Sequence, residues 1–299
     1  MGALEGKVAV VTGAGRGIGR AEAVLLATEG ASLVVNDLGG EWDGTGTDER
    51  PAQVVADEIA AAGGKAVANY DDISSWAGAQ SLIRQAIEEL GGLDVVINNA
   101  GILRDRMIFN MTEEDWDAVV SVHLKGHAAT THAATAFWRD RAKAGEPVAG
   151  RIVNTASESG LYGLKGQANY ASAKAGIAAL TQVTAREMKK YGVTANCIAP
   201  RARTRLITQS FGEGMMAAPE EEGAFDLFAP ENVAPLVTFL ASDLAKHISG
   251  QVFVVHGGLV TLMQGWKALG EIDRGERWTV AELSERVDEL FLGVPSALD

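Results

Sequence analysis

Short apolar, β-branched runs alternate with longer stretches of helical periodicity from the start of the chain to about residue 256. The strand-like runs cover residues 7–12, 32–37, 66–70, 93–98, 150–156, 194–199 and 251–256. Most are apolar at consecutive positions, which suits parallel strands covered by helices on both faces. Helical spacing falls between them, over 18–29, 51–62, 76–90, 112–141, 168–191 and 231–242. Gly30, Gly63, Gly91 and Gly192 stand where helices should stop. Strand–helix–strand repeated in this way predicts a single Rossmann-like, doubly wound α/β domain over residues 1–259, with a seven-stranded parallel sheet. Three stretches break the alternation. Residues 39–50 are polar and Gly-rich, and read as a surface loop. Residues 206–229 mix Phe211, Met215, Met216, Phe225, Leu227 and Phe228 with acidic positions. Residues 260–299 form an extension whose Trp266, Trp278 and Leu283 call for packing on the domain or on a neighbouring subunit.

Composition narrows the function classes. A formal charge of −13 over 299 residues argues against nucleic-acid or anionic-membrane partners, which need a basic face. The single cysteine, Cys197, forms no internal disulfide and excludes a four-cysteine zinc site. Apolar runs are strand-length and no leader pattern opens the chain, so the cytoplasm is the expected location. No metal site is expected.

The first strand runs into Thr12-Gly13-Ala14-Gly15-Arg16-Gly17-Ile18-Gly19, where a helix begins. Glycines there permit a tight turn and bring backbone N–H groups to a pyrophosphate at the positive helix end. Asp37 ends the second strand and follows Gly19 by 18 residues, where a carboxylate accepts hydrogen bonds from ribose hydroxyls. The same carboxylate repels a 2′-phosphate, which favours NAD. Arg16 is the opposing signal, as a cation within reach of such a phosphate.

The turn Gly13/Gly17/Gly19, Asn98-Asn99-Ala100-Gly101 after the fourth strand, and Tyr170-Ala171-Ser172-Ala173-Lys174 together resemble the short-chain dehydrogenase/reductase family, from about Leu4 to Gly258. The resemblance implies that Asp72 and Ile73 flank the adenine ring and that Asn98 holds the end of strand four near the cofactor. It also implies that Ile198 meets the nicotinamide through its backbone, and that Ser157 hydrogen-bonds the substrate oxygen. Tyr170 would be the proton-transfer group. A free phenol has a pKa of about 10, too high for efficient base catalysis near neutrality. Lys174, one helical turn on, and an oxidised nicotinamide are expected to lower it. Where the family usually carries an Asn, this chain has His123, a candidate relay that can donate and accept.

Val35–Gly40, Ala68–Asp71, Gly101–Arg106 and Gly166–Tyr170, taken with His123, narrow the resemblance within the family. They are similar to the (3R)-hydroxyacyl-CoA dehydrogenase unit of type 2 peroxisomal multifunctional enzymes, also called 17β-hydroxysteroid dehydrogenase type 4; the hydratase and sterol-carrier domains of those enzymes have no counterpart in these residues, so a stand-alone dehydrogenase is expected. That branch implies NAD-linked oxidation of a 3-hydroxyacyl-CoA or a steroid hydroxyl. Arg104, Arg106, Arg201, Arg203 and Arg205 would then be available to CoA phosphates, and 206–229 would form an apolar lid. The alternatives are an NADPH-linked 3-oxoacyl reductase and a non-catalytic dinucleotide-binding protein. The helices over 112–141 and 168–191 form the oligomer interface in relatives, so a homodimer or homotetramer is expected.

Overall fold

Seven strands stand where the apolar runs place them: β1 Val8–Thr12, β2 Ser32–Asn36, β3 Lys65–Asn69, β4 Val95–Asn98, β5 Arg151–Thr155, β6 Thr194–Pro200 and β7 Val252–His256. The computed structural model describes residues 2–48, 50–221 and 223–293, and gives the backbone alone for 209–211, 213 and 215. The strands lie in the order β3-β2-β1-β4-β5-β6-β7 and pair in parallel throughout, with Val10 level with Val34 on one side and Val96 on the other. The order reverses between β1 and β4. Ligands of open α/β sheets bind in the crevice beyond the carboxyl ends of the strands at that switch point.

An eighth strand, β8 Leu259–Met263, follows β7 after Gly257 and Gly258 and extends the sheet at that edge. This corrects the seven-stranded expectation. Two glycines leave room only for a hairpin, so β8 runs back along β7. Its apolar side chains are largely exposed, Leu259 by 52% and Leu262 by 61%.

Helices α1 Gly17–Thr28, α2 Arg50–Ala61 and α3 Trp76–Leu90 match their sequence periodicity. The single helix expected over 112–141 does not form. It is divided into α4 Glu113–Val120, a π turn at Ser121–Lys125 and α5 Gly126–Lys143. A π turn accommodates one extra residue in the helical ladder, which sequence periodicity does not register. Two short helices, α6 Glu158–Tyr162 and α8 Arg205–Phe211, flank α7 Ala168–Met188 and β6; α9 Ala234–Ala241 precedes β7.

Side chains alternate between two cores, one on each face of the sheet. Leu33, Val35, Leu26, Ile59, Val237 and Leu240 fill one; Val10, Val34, Val96, Leu82, Trp138 and Ile152 fill the other. Burial on both faces explains the unbroken apolar runs. Contacts divide the chain into Met1–Leu262 and Met263–Asp299. Within the second unit, α10 Val280–Arg286 begins with a Thr279/Glu282 capping box, and the Arg274 and Arg286 guanidinium groups lie 5.9 and 5.3 Å from the Trp278 ring. Trp266 is fully exposed and Leu283 is 41% exposed.

One buried acid strains the first core. Glu22 on α1 is completely buried, neither carboxyl oxygen has a hydrogen-bond partner, and burial pushes its pKa up to about 8. The unfolded chain releases this proton near pH 4.5, whereas the folded chain keeps it to about pH 8. Stability therefore falls as pH rises through that window. Glu22→Met is expected to stabilise the protein by about 2 kcal/mol at pH 8 and by much less at pH 5. Urea unfolding at both values reads the difference, and equal gains at the two would exclude this origin.

Candidate active site

The carboxyl ends of β1, β4, β5 and β6 open onto one cavity of about 820 Å³. At the β1 end, Gly13 takes a positive φ of 65°, and a Cβ there would lie 2.7 Å from Ala100 Cα. The turn is stitched to the β4 loop: Asn99 Nδ2 donates to the carbonyls of Thr12 and Gly13, and Thr12 Oγ1 accepts the N–H groups of Asn99 and Ala100. Helix α1 starts without a side-chain cap, so its first N–H groups remain available beside the cavity. Asp37 borders them. Its carboxylate accepts the N–H of Gly15 at 2.8 Å and of Gly39 at 2.7 Å, which fixes it at the cavity wall. Arg16 lines the same region, its Nη1 buried and without a partner among the described residues. An uncapped helix end, a fixed carboxylate and a guanidinium nitrogen without a partner among the described residues fit the phosphates and ribose of a dinucleotide.

Gly13, Arg16, Gly17, Ile18, Asp37, Asp72 and Ile73 all line the cavity. The Asp72 carboxylate is also engaged locally, accepting the N–H and the hydroxyl of Ser74 at 2.9 Å each. Three of the expected cofactor residues lie outside the lining. Gly19 lies outside the lining; a Cβ there would meet Gly13 O at 2.3 Å, so this glycine lets α1 pack on the turn. Asn98 is fully buried, donating to Asn154 Oδ1 at 2.9 Å and accepting from Thr130 Oγ1 at 2.6 Å. It ties α5 to the sheet, while its neighbour Asn99, on the opposite side of the strand, borders the cavity. Ile198 is fully buried in β6, and its carbonyl accepts the Ala156 N–H at 2.7 Å; this wall begins only at Pro200.

Two residues beyond the end of β5, Ser157 caps α6, accepting the Ser159 N–H at 3.2 Å. Tyr170 and Lys174 follow on the first turns of α7. Lys174 is 2% exposed; its Nζ donates to Thr155 O at 2.5 Å and lies 5.4 Å from the Tyr170 ring centroid. His123, delivered by the π turn, meets the Tyr170 ring edge-on at 5.0 Å. Its Nε2 lies 3.0 Å from the Ile102 nitrogen and 2.8 Å from the Ile102 oxygen, and its Nδ1 is buried without a partner. Ser157, Tyr170, Lys174 and His123 thus share one end of the cavity.

Electrostatics depart from expectation. Burial pushes the Tyr170 phenol up to about 12, against a hydrogen bond from Ser157 that lowers it. Burial also drives Lys174 down to about 7. Burial outweighs the Ser157 bond, so the protein's own groups leave Tyr170 above its ordinary value. His123 is held neutral, well below its usual pKa, by burial first and by Lys174 second.

The arginines proposed for CoA phosphates are engaged by the chain itself. Arg201 pairs with Glu158, Arg203 with Asp226 and Arg205 with Glu41; Arg106 lies 3.9 Å from Asp115; Arg104 donates to Asp43 O. Residues 39–48 are not a free surface loop. Trp42 lines the cavity, and its carbonyl accepts the Leu103 N–H at 3.0 Å. A lone tryptophan in a polar loop was the available signal. Of the lid candidates, Met216 lines the cavity, Phe225 is 66% exposed, and the Phe211 and Met215 side chains lie outside the described residues. Among the described residues no three His, Cys, Asp or Glu side chains converge on a metal-sized site, and no helix is long and apolar enough to cross a membrane.

Comparison with known proteins agrees with this geometry. A profile of the short chain dehydrogenase family matches residues 7–211. The hydroxyacyl-CoA dehydrogenase ChsB1 of Mycobacterium tuberculosis is 51% identical over 97% of this chain and 90% of its own length. The peroxisomal multifunctional enzyme type 2 of Mus musculus is 41% identical over 91% of this chain, which spans 34% of that enzyme. A crystal structure of a short chain dehydrogenase from Mycobacterium avium superposes with a TM-score of 0.87 at 50% identity, covering 99% of this chain and 97% of that one.

Proposed function

The chain belongs to the short-chain dehydrogenase family, whose members act on CH–OH groups, and from that premise we propose that it oxidises a (3R)-3-hydroxyacyl-CoA to the 3-oxoacyl-CoA with NAD. The observation that carries the reading is the convergence of Ser157, Tyr170 and Lys174 at one end of a cavity whose other end holds the glycine turn and Asp37. The acyl-CoA class is supported by the names of the relatives.

Oxidation removes a proton from the substrate oxygen and a hydride from the carbon bearing it. Ser157 Oγ donates to the substrate oxygen and orients it, and Tyr170 Oη takes the hydroxyl proton. Lys174, anchored on Thr155 O, places a proton-exchanging ammonium behind the phenol. When bound, oxidised NAD supplies the hydride acceptor and a positive ring charge that lowers the phenol's proton affinity. Asp37 and the N-terminus of α1 would hold its adenosine half.

Asp37 supports NAD, since a 2′-phosphate beside a fixed carboxylate is repelled. The unpartnered Arg16 Nη1 is the observation that favours NADP. Assaying (3R)- and (3S)-3-hydroxyacyl-CoA with each cofactor by nicotinamide absorbance tests the whole reading. The expected kcat/KM with NAD exceeds that with NADP by about 100-fold, equivalent to roughly 3 kcal/mol. No oxidation of either acyl-CoA would overturn the substrate class, and an NADP preference would transfer the cofactor role to Arg16.

His123 acts as the relay in place of the family's Asn. Its neutral ring has one nitrogen at Ile102 and the other free, so a proton exchanged at one side changes the tautomer and the role of the other. His123→Ala is expected to lower kcat about tenfold and shift its pH profile, with His123→Asn recovering most of the loss. Unchanged turnover across the pH range would remove His123 from the mechanism. The reading further takes the protein as a homodimer or homotetramer joined through α5 and α7. Its single, buried cysteine supports a cytoplasmic location.

A further inference from the structure

Three residues before Tyr170, Gln167 lines the cavity and is 3% exposed. Its Nε2 donates to Asp105 Oδ2 at 2.9 Å, but its Oε1 is buried without a partner. The backbone around this pair is fixed from both sides. Arg106 bridges Gln167 in parallel register, and its N–H donates to Gly166 O at 2.8 Å. Asn169 Nδ2 donates to the carbonyls of Arg104 and Asp115, both at 3.0 Å. Asp105 and Gln167 are therefore held as one unit directly upstream of the proton-transfer group.

The chemistry of the pair decides which way the amide points. An ionised carboxylate only accepts hydrogen bonds, so the amide must turn its NH2 toward Asp105. Burial raises the Asp105 carboxyl above its ordinary value, while the Gln167 bond and Arg106 pull it back toward ionisation. Turning the amide over would set oxygen against oxygen. The Gln167 oxygen is thus left as an acceptor for which the described residues provide no donor. A buried acceptor left unpaired costs about 1–3 kcal/mol. A ligand that brings a donor recovers that cost.

We propose that Gln167, oriented by Asp105, accepts a hydrogen bond from an amide N–H of the substrate and thereby selects pantetheine-type thioesters over acyl substrates without that group. This rests on the hydroxyacyl-CoA reading. In such a substrate the reacting hydroxyl is taken by Ser157 and Tyr170. The next donor along the molecule is the amide N–H that follows the short thiol linker. Gln167 is then a specificity-determining contact, and Asp105 a positioning residue acting through it.

Two small substrates isolate the donor: the N-acetylcysteamine thioester and the S-ethyl thioester of (3R)-3-hydroxybutyrate, oxidised with NAD. The first carries the amide N–H and the second does not. For the parent protein the expected kcat/KM ratio favours the amide-bearing thioester by at least about tenfold, the size of one hydrogen bond to an otherwise unpaired buried group. Gln167→Leu is expected to bring that ratio close to one. Asp105→Asn, which changes one atom and lets the Gln167 amide turn over, should reduce the ratio several-fold and also serves if the Leu variant folds poorly. Ratios in both variants equal to that of the parent, or a parent ratio near one, overturn the proposal alone. Failure of the parent to oxidise any hydroxyacyl thioester, CoA esters included, overturns it together with the substrate reading.

Discussion

Replacing Tyr170 by Phe is expected to lower kcat roughly 10²- to 10⁴-fold, the range associated with loss of a positioned proton-transfer group. The ring itself is retained, so the edge-on contact with His123 survives and the fold should not suffer. What is lost is the phenol oxygen and its hydrogen bond with Ser157. The phenol stands near 12 in the protein's own field, so Tyr170 starts the reaction as a reluctant base. Its activity therefore depends on charge brought to the site, and a general loss of affinity would not mimic the effect. Steady-state turnover, with circular dichroism and cofactor titration as controls, makes the measurement. A Phe variant retaining a tenth or more of the parent kcat would displace Tyr170 from the central step.

Lys174→Met should abolish turnover to a similar degree and, in the cofactor-free protein, raise stability. Burial lowers the lysine from 10.5 to about 7, which corresponds to roughly 5 kcal/mol as an upper bound on the cost of keeping it charged. Between pH 7 and 10.5 the unfolded chain binds a proton that the folded chain has given up. Stability from this group therefore rises with pH through that window, and the cost is greatest below pH 7. Methionine has similar length and no charge, but it forfeits the bond to Thr155 O. The net expectation is a gain of about 2 kcal/mol at pH 6 that shrinks toward pH 10, read by denaturant unfolding of parent and variant. A variant less stable than the parent at pH 6 would show that the site imposes no such cost. Trading stability for a poised amine is common at active sites.

Local spacing made much of the site legible. Glycines at 13 and 17 follow an apolar run directly, Asp37 ends the next one, and Tyr170 and Lys174 are one helical turn apart; each of these relations is short in sequence. Spacing does not tell which of two neighbouring residues lines the cavity. Asn98 faces the buried helices and Asn99 the cavity, and Ile198 lies too deep in β6 to reach it. Tertiary bonds decided the rest. Trp42 reaches the cavity because its carbonyl receives an N–H from Leu103, far along the chain. Gln167 shows its importance only through the partner it has and the one it lacks. The arginine cluster looked free in sequence because its carboxylate partners lie far away along the chain.

The π turn between α4 and α5 works as a phase shift. Helix α4 packs against α7, whereas α5 packs chiefly against α3 and carries Trp138 and Thr130 into the interior. An α-helix turns by about 100° per residue, so winding Ser121–Lys125 as α-helix at unchanged length would rotate everything beyond it by about that angle. Trp138 would lose the Leu93 carbonyl, Thr130 would lose Asn98, and the ring at position 123 would leave Tyr170. Substitutions within the turn alter single contacts. Loss of its wide winding would uncouple the oxidation site from the core on which it is built.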